Sequence, residues 1–180
     1  MTEYAVFSFY PETKELERHN IVKGLSESNP TAIAVAPIGT NEEHVLIIGY
    51  ANGNIDLMTD VGIFNMPDVV NSNLIGDKAI RNIYVEGSSA YLATGFGVVA
   101  IDISEVEVKD TWYIEGQQEL LGVTGVSRNE GKWVVSTDAG VYEADVNHQF
   151  LSSAEAWSQW VDLPEDPSTL VTELHFTGGR

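Results

Sequence analysis

Three hairpins repeat along this chain. They occupy residues 45–57, 91–102 and 133–145, and each joins two apolar strands through a tight turn containing Gly53, Gly97 or Gly140. The turn glycines stand 44 and then 43 residues apart. A fixed period of this length is the mark of a stack of four-stranded units, each too thin to bury its own faces, as in the blades of a β-propeller. An all-β fold of four-stranded antiparallel blades is therefore the expectation.

Aligned on those glycines, each unit reads as strands a to d, ordered from a central axis outward. In the clearest unit, residues 80–86 are strand a, 90–94 b, 98–102 c and 106–114 d. The alternation Val106-Glu107-Val108-Lys109 predicts a strand with one wet face. The unbroken apolar run 98–101 predicts an inner strand covered on both sides. The unit before it places strands at 31–36, 45–49, 55–58 and 63–66. The unit after it places them at 123–128, 133–137, 141–145 and 157–162. An insertion at 147–156 is predicted to carry a helical turn or a loop, and an Asn- and Asp-rich loop at 67–77 to join two units on one rim.

Both ends of the chain continue the repeat. Thr2-Glu3-Tyr4-Ala5-Val6-Phe7 aligns with Thr137-Asp138-Ala139-Gly140-Val141-Tyr142, so the chain opens at the end of a strand b and runs through a c (5–9) and a d (14–21). Residues 171–176 repeat the strand a pattern. The predicted organisation is a half blade at 1–25, blades at 26–70, 78–118 and 119–163, and the first strand of another at 170–180. Propellers close with about four to eight blades. This content therefore predicts an incomplete ring of about four blades and a fragment of a longer protein, with Met1 internal to it. The alternative is that the leading c and d strands close on the trailing strand a, in a small ring or in a homodimer through open blade edges.

Composition narrows the function. Nine basic residues face twenty-seven acidic ones, for a formal charge of −18, which repels phosphate backbones and argues against nucleic acid as a partner. There are no cysteines, so disulfides, thiolate metal sites and cysteine nucleophiles are excluded. No apolar run is long enough to insert in a membrane as a helix, and the opening residues M-T-E-Y-A-V-F-S-F-Y carry no secretory leader. The acidity reads first as solubility, and second as attraction to calcium or to a basic partner, although no segment has the spaced oxygen ligands of a calcium loop.

No set of residues converges on a chemistry. His19, His44, His148 and His175 fall in different blades or loops without metal-ligand spacing. Asp102 and Asp145 both stand five residues after a turn glycine, where a carboxylate can accept backbone N–H groups of the c-to-d turn. Gly95-Phe96-Gly97 opens a strand and not a helix, so it reads as a hairpin turn and not as a phosphate cradle. No nucleophile elbow or apolar-set acidic pair stands out, so neither an enzyme nor a cofactor is expected. Trp157 and Trp160 read either as packing between blades or as anchors for a partner. With Asp68 and Asn71 in the 67–77 loop and Phe150 in the insertion, they are the candidate partner contacts.

Several stretches together resemble the N-terminal propeller of PorZ-type proteins of the type IX secretion system of Bacteroidetes. They are Leu46-Ile47-Ile48-Gly49-Tyr50-Ala51-Asn52-Gly53-Asn54-Ile55-Asp56-Leu57, Asn65-Met66-Pro67-Asp68, Arg81-Asn82-Ile83-Tyr84 and Ala90-Tyr91-Leu92-Ala93-Thr94-Gly95-Phe96-Gly97, with Lys23-Gly24-Leu25-Ser26-Glu27-Ser28 and Trp157-Ser158-Gln159-Trp160-Val161-Asp162-Leu163-Pro164. The resemblance implies a non-enzymatic scaffold at the cell surface or outer membrane, or in the periplasm. Its implied partners are secretion-system proteins at the outer membrane and the glycan of lipopolysaccharide. The family's second propeller and sorting domain are not in this sequence. The repeat also resembles the sensor propellers of hybrid two-component regulators, which is the alternative function.

Overall fold

The computed structural model describes residues 1–38, 43–74, 76–116 and 119–160. They form strands almost throughout. The first two are β1 (Val6–Tyr10) and β2 (Glu15–His19), followed by β3 (Pro30–Ile38), β4 (Glu43–Tyr50), β5 (Ile55–Thr59) and β6 (Gly62–Met66). Then come β7 (Ile80–Glu86), β8 (Ser89–Thr94), β9 (Gly97–Asp102) and β10 (Glu107–Trp112). The last group is β11 (Val123–Asn129), β12 (Lys132–Thr137), β13 (Gly140–Asp145) and β14 (Ser158–Gln159). Neighbours in sequence pair antiparallel, giving one two-stranded and three four-stranded sheets. The chain is all-β, a partial propeller whose described residues form no closed ring.

The b and c strands of the third sheet, β8 and β9, are apolar on both faces because each face meets a different sheet. In β9, Val99 and Ile101 pack with Ile47, Ile55 and Leu57 of the preceding sheet. Val98 and Ala100 of the same strand pack with Val123, Val126 and Trp133 of the following one. A smaller cluster of Val6, Leu25, Ile48 and Tyr50 joins β1 to the second sheet. Such sheets hold one another by burial, at roughly 25 cal/mol per Å² of apolar surface removed from water.

Close approach is needed where the strands converge. A side chain at Gly49 of β4 would place its Cβ 2.5 Å from Ile80 Cγ2 and 2.8 Å from Ile80 Cβ, at the start of β7. Thr31 bridges the same pair of sheets by donating its hydroxyl to the carbonyl of Ile80 at 2.6 Å.

The structure departs from sequence reading in particular places. Val106 is not the start of a strand: its φ of 54° puts it in the left-handed region, in the turn before β10. The turn at 102–105 forces that conformation, and the strand begins at Glu107 and carries a bulge between Val108 and Asp110. The loop at 67–77 contains one helical turn, α1 (Asp68–Asn71). The insertion after β13 contains a 3-10 turn at Ala154–Ala156. β14 is only two residues long, shorter than the strand read at 157–162. The strand read at 171–176, the segment 170–180, and the ends of the strand at 157–162 and the blade at 119–163 lie outside the described residues.

Gly49→Ala is expected to lower unfolding stability by about 1–3 kcal/mol, the usual cost of overpacking. The urea midpoint should fall with no change in slope. Combined with Ile80→Ala, the loss in the double variant should be less than the sum of the two single losses, because the second change removes Cγ2, the nearer of the two atoms struck, and leaves only the contact with Cβ.

Candidate interaction surface

Antiparallel order sorts the loops onto two rims. Within each blade the a-to-b and c-to-d turns lie at one end of the strands, and the b-to-c turns and the connections between blades lie at the other. A six-residue strand separates the two by roughly 20 Å. Gly53, Gly97 and Gly140 are on the connection rim, with φ of 89°, 143° and 121°. Asp102 and Asp145 are on the opposite rim.

Threonine shares the turn work with glycine. The Thr94 hydroxyl donates to the carbonyl of Gly97 at 2.9 Å, and Thr137 donates to that of Gly140 at 2.8 Å. Thr2 makes the same bond to Ala5 at 3.4 Å, which fixes the register of the opening segment with the repeat. On the other rim, Asp102 Oδ1 accepts from the backbone N–H of Ser104 and of Glu105 at 2.9 and 3.1 Å, and Asp145 Oδ1 accepts from that of Asn147 at 2.8 Å. The Ser104 hydroxyl and the Glu105 N–H hold the Asp102 carboxyl below its ordinary range.

The candidate partner residues do not form one surface. Asp68 and Asn71 are exposed at the ends of α1 on the connection rim. Their loop is clamped by Lys78, whose ammonium donates to the carbonyls of Val70 at 3.0 Å and Ser72 at 2.7 Å. Phe150 is 59% exposed, but it sits on the opposite rim.

Trp157 is only 8% exposed. Its ring lies 5.9 Å from that of Trp112, and its Nε1–H donates to the Leu151 carbonyl at 2.9 Å, so it packs between blades and has no free face for a partner. Trp160 is half-buried beside β13. Its backbone N–H donates to Val141 O at 2.9 Å, and its Nε1–H donates to Glu143, which also receives Lys132. Tyr84, Tyr91 and Trp133 extend this aromatic seam, with Arg128 5.7 Å above the Trp133 ring.

A buried polar site went unread in the sequence. Asp56 of β5 is fully buried. Its carboxylate accepts the Tyr50 hydroxyl at 2.6 Å, the Ser26 N–H at 2.8 Å and the Asn65 amide at 3.0 Å. Burial, together with donation to this carboxylate, pushes the Tyr50 phenol far above its ordinary value. The site ties the connection before β3 to the outer strands of the second sheet. An aspartate inside the apolar strand 55–58 was its one sequence signal.

The third feature is a groove of about 710 Å³ between β1 and the second sheet. Val6, Ser8, Ile33, Val35 and Leu46 are among its lining residues. Ile33 is 43% and Val35 58% exposed, on the face of β3 that looks toward β1. His19 meets the Ser8 hydroxyl at 2.9 Å there, and His44 lies across the groove. His148 is remote, accepting the Phe150 N–H at 3.2 Å, and His175 lies outside the described residues. Among the described residues no three His, Asp or Glu side chains are placed to hold a metal ion, and no helix is long and apolar enough to cross a membrane.

Radial four-stranded sheets, joined face to face with turns on two rims, define a partial β-propeller with loop and groove surfaces. The model of the type IX secretion PorZ N-terminal β-propeller domain matches residues 1–158, and the chain belongs to that family. PorZ of Porphyromonas gingivalis, described as an essential bacterial surface component of the type IX secretion system, is similar at 24% identity and a TM-score of 0.70. The match covers 90% of this chain and 21% of PorZ, so the chain spans about a fifth of that protein. The extracellular domain of a putative one-component system of B. thetaiotaomicron is similar at 13% identity and a TM-score of 0.60, over 79% of this chain and 18% of that one. Sqt1 of Saccharomyces cerevisiae is similar at 17% identity and 0.62, over 81% and 41%. These likenesses show the fold. No curated protein sequence matches the chain.

Two outcomes test this surface. Tyr50→Phe should cost about 1–3 kcal/mol in urea unfolding, because it leaves a buried carboxylate short of a donor. Glu143 is held below its ordinary value by the Lys132 ammonium, with Trp160 adding to it. Its contribution to stability is therefore complete above the ordinary glutamate range and is lost as pH falls through the lowered value. Glu143→Gln should remove that acid-side loss from the pH profile of Tm.

Proposed function

We propose that this chain is a non-enzymatic interaction scaffold of type IX secretion, which helps attach cargo to the cell surface by contacting secretion-system proteins at the outer membrane. Family membership over residues 1–158 carries the reading. The same membership supports a location at the cell surface or outer membrane, or in the periplasm. The mechanism is binding alone. Rigid sheets fix the spacing of the rims, so that a loop such as 67–77 meets its partner already ordered and gives up little entropy on binding.

Asp68 and Asn71 are the contacts favoured on the connection rim, because Lys78 fixes the helical turn that displays them. Phe150 offers a separate apolar contact on the other rim, for protein or for the glycan of lipopolysaccharide. Likeness to the extracellular domain of a one-component system is a likeness of fold at 13% identity, so the sensor reading gains no residue-level support.

The test is made in the bacterium, on the full-length protein. Asp68→Lys with Asn71→Lys should reduce cargo attached to the cell surface severalfold while the level of the protein stays constant. Unchanged attachment in this variant and in Phe150→Asp would overturn the reading.

A further inference from the structure

We infer that Asn52 is a site of spontaneous covalent modification, where asparagine converts to aspartate and isoaspartate, and that the isoaspartate form loosens the loop at 67–77. This chemistry goes beyond the interaction reading above and does not depend on it.

Asn52-Gly53 is the one Asn-Gly step in the sequence, and it lies in the turn between β4 and β5. The matching turns place Phe96 and Ala139 before their glycines. Packing fixes the glycine of the step. Gly53 has a φ of 89°, and a side chain there would place its Cβ 2.9 Å from both the Cβ and the carbonyl oxygen of Lys78 and 3.0 Å from Val69 Cγ1. Turn chemistry favours the asparagine. Asn52 is exposed, and its Oδ1 accepts the backbone N–H of Asn54 at 3.0 Å.

These two demands put an electrophile beside a nucleophile. The Gly53 backbone nitrogen attacks Asn52 Cγ. A nitrogen–Cγ bond forms, the bond from Cγ to the side-chain nitrogen breaks, and that nitrogen leaves as ammonia with the proton of the Gly53 amide. Water then opens the cyclic imide. Cleavage at Cγ leaves aspartate. Cleavage at the main-chain carbonyl of residue 52 leaves isoaspartate, whose backbone runs through the former side chain and is one methylene longer. No Cβ on Gly53 obstructs the attack. The Asn54 N–H is already bonded to the oxygen on which negative charge develops, at the distance of an oxyanion donor. One bond opposes the step. The Gly53 N–H donates to the Tyr50 carbonyl at 3.1 Å, so the turn must first open locally, without unfolding of the sheet.

The two products differ in consequence. Aspartate keeps the backbone length and the Oδ1 acceptor. Isoaspartate displaces Gly53 from Lys78 and from Val69, the buried residue of α1. Lys78 is the clamp on this loop, through the carbonyls of Val70 and Ser72. The N–H groups of Asn71 and Ser72, which donate to the carbonyls of Pro67 at 2.9 Å and Val69 at 3.2 Å, report whether the clamp holds.

The test holds the full 180-residue chain, folded, in mildly alkaline buffer at body temperature and digests it at intervals. Residue 52, located by fragmentation, should exchange an amino group for a hydroxyl by mass before any other asparagine does, and isoaspartyl methyltransferase should label the peptide. Conversion should slow severalfold in mildly acidic buffer. Asn52→Ala should remove the label. In the isoaspartate fraction, hydrogen exchange at the Asn71 and Ser72 amides should speed up by about tenfold or more. In Asn52→Asp, which adds the charge without lengthening the backbone, it should match that of the parent chain. Conversion of Asn52 in urea but not in the folded chain, earlier conversion of another asparagine, or unchanged exchange at Asn71 and Ser72 in the isoaspartate fraction would overturn the inference.

Discussion

A sheet four strands wide has two faces and no interior of its own. In this chain the inner strands carry apolar residues on both faces, with a few buried polar ones such as Asp56, so each sheet is stable only while its neighbours cover it. β9 shows the condition most plainly, with Val99 and Ile101 on one face and Val98 and Ala100 on the other, in two separate cores. The connections, the glycine at position 49 and the aromatic seam all serve that face-to-face contact. A sheet displaced by the width of one side chain would lose dispersion along its whole length.

Cover is uneven along the array. The contact between the second and third sheets is aliphatic, centred on Ile47, Ile55, Ile80 and Leu92. That between the third and last sheets is aromatic, with Tyr91 and Trp133 rings 4.2 Å apart and Trp112 5.0 Å from Trp133. The contact of β1 with the second sheet is small, and polar chemistry supplements it. Asp56 receives Tyr50, Asn65 and the Ser26 N–H, and so fastens the connection that leads away from β2. A buried carboxylate with three donors adds little net stability, but removing one donor exposes the cost of its burial. The second sheet therefore holds its outer connection by a geometry that tolerates little substitution.

The sequence announced the sheets because repetition is a property of spacing. Gly53, Gly97 and Gly140 are separated by one blade each, and the apolar runs beside them could be nothing but inner strands at that period. Details set by one turn were less legible. Val106 has a strand-forming side chain, yet the turn before β10 imposes positive φ on it. The inward turn of Trp157 depends on the Leu151 carbonyl, which the insertion brings to its indole. Residues of the candidate surface were legible as exposed loop positions and no further, because sequence gives no rim. Only antiparallel order separates Asp68 and Asn71 from Phe150.

The same order explains why β1 differs from its counterparts. Thr2 and Ala5 reproduce the turn that joins strands b and c elsewhere, so the opening residues adopt the blade conformation although no strand b stands alongside among the described residues. Among the described residues, what holds β1 is its contact across to Ile48 and Tyr50 and its pairing with β2. Phe7, Phe9 and Leu16, on the far face of this pair, are 39%, 60% and 65% exposed. Apolar surface left in water costs roughly 25 cal/mol per Å², so the small contact of Val6 with Ile48 and Tyr50 and the ladder to β2 work against the exposure of that face.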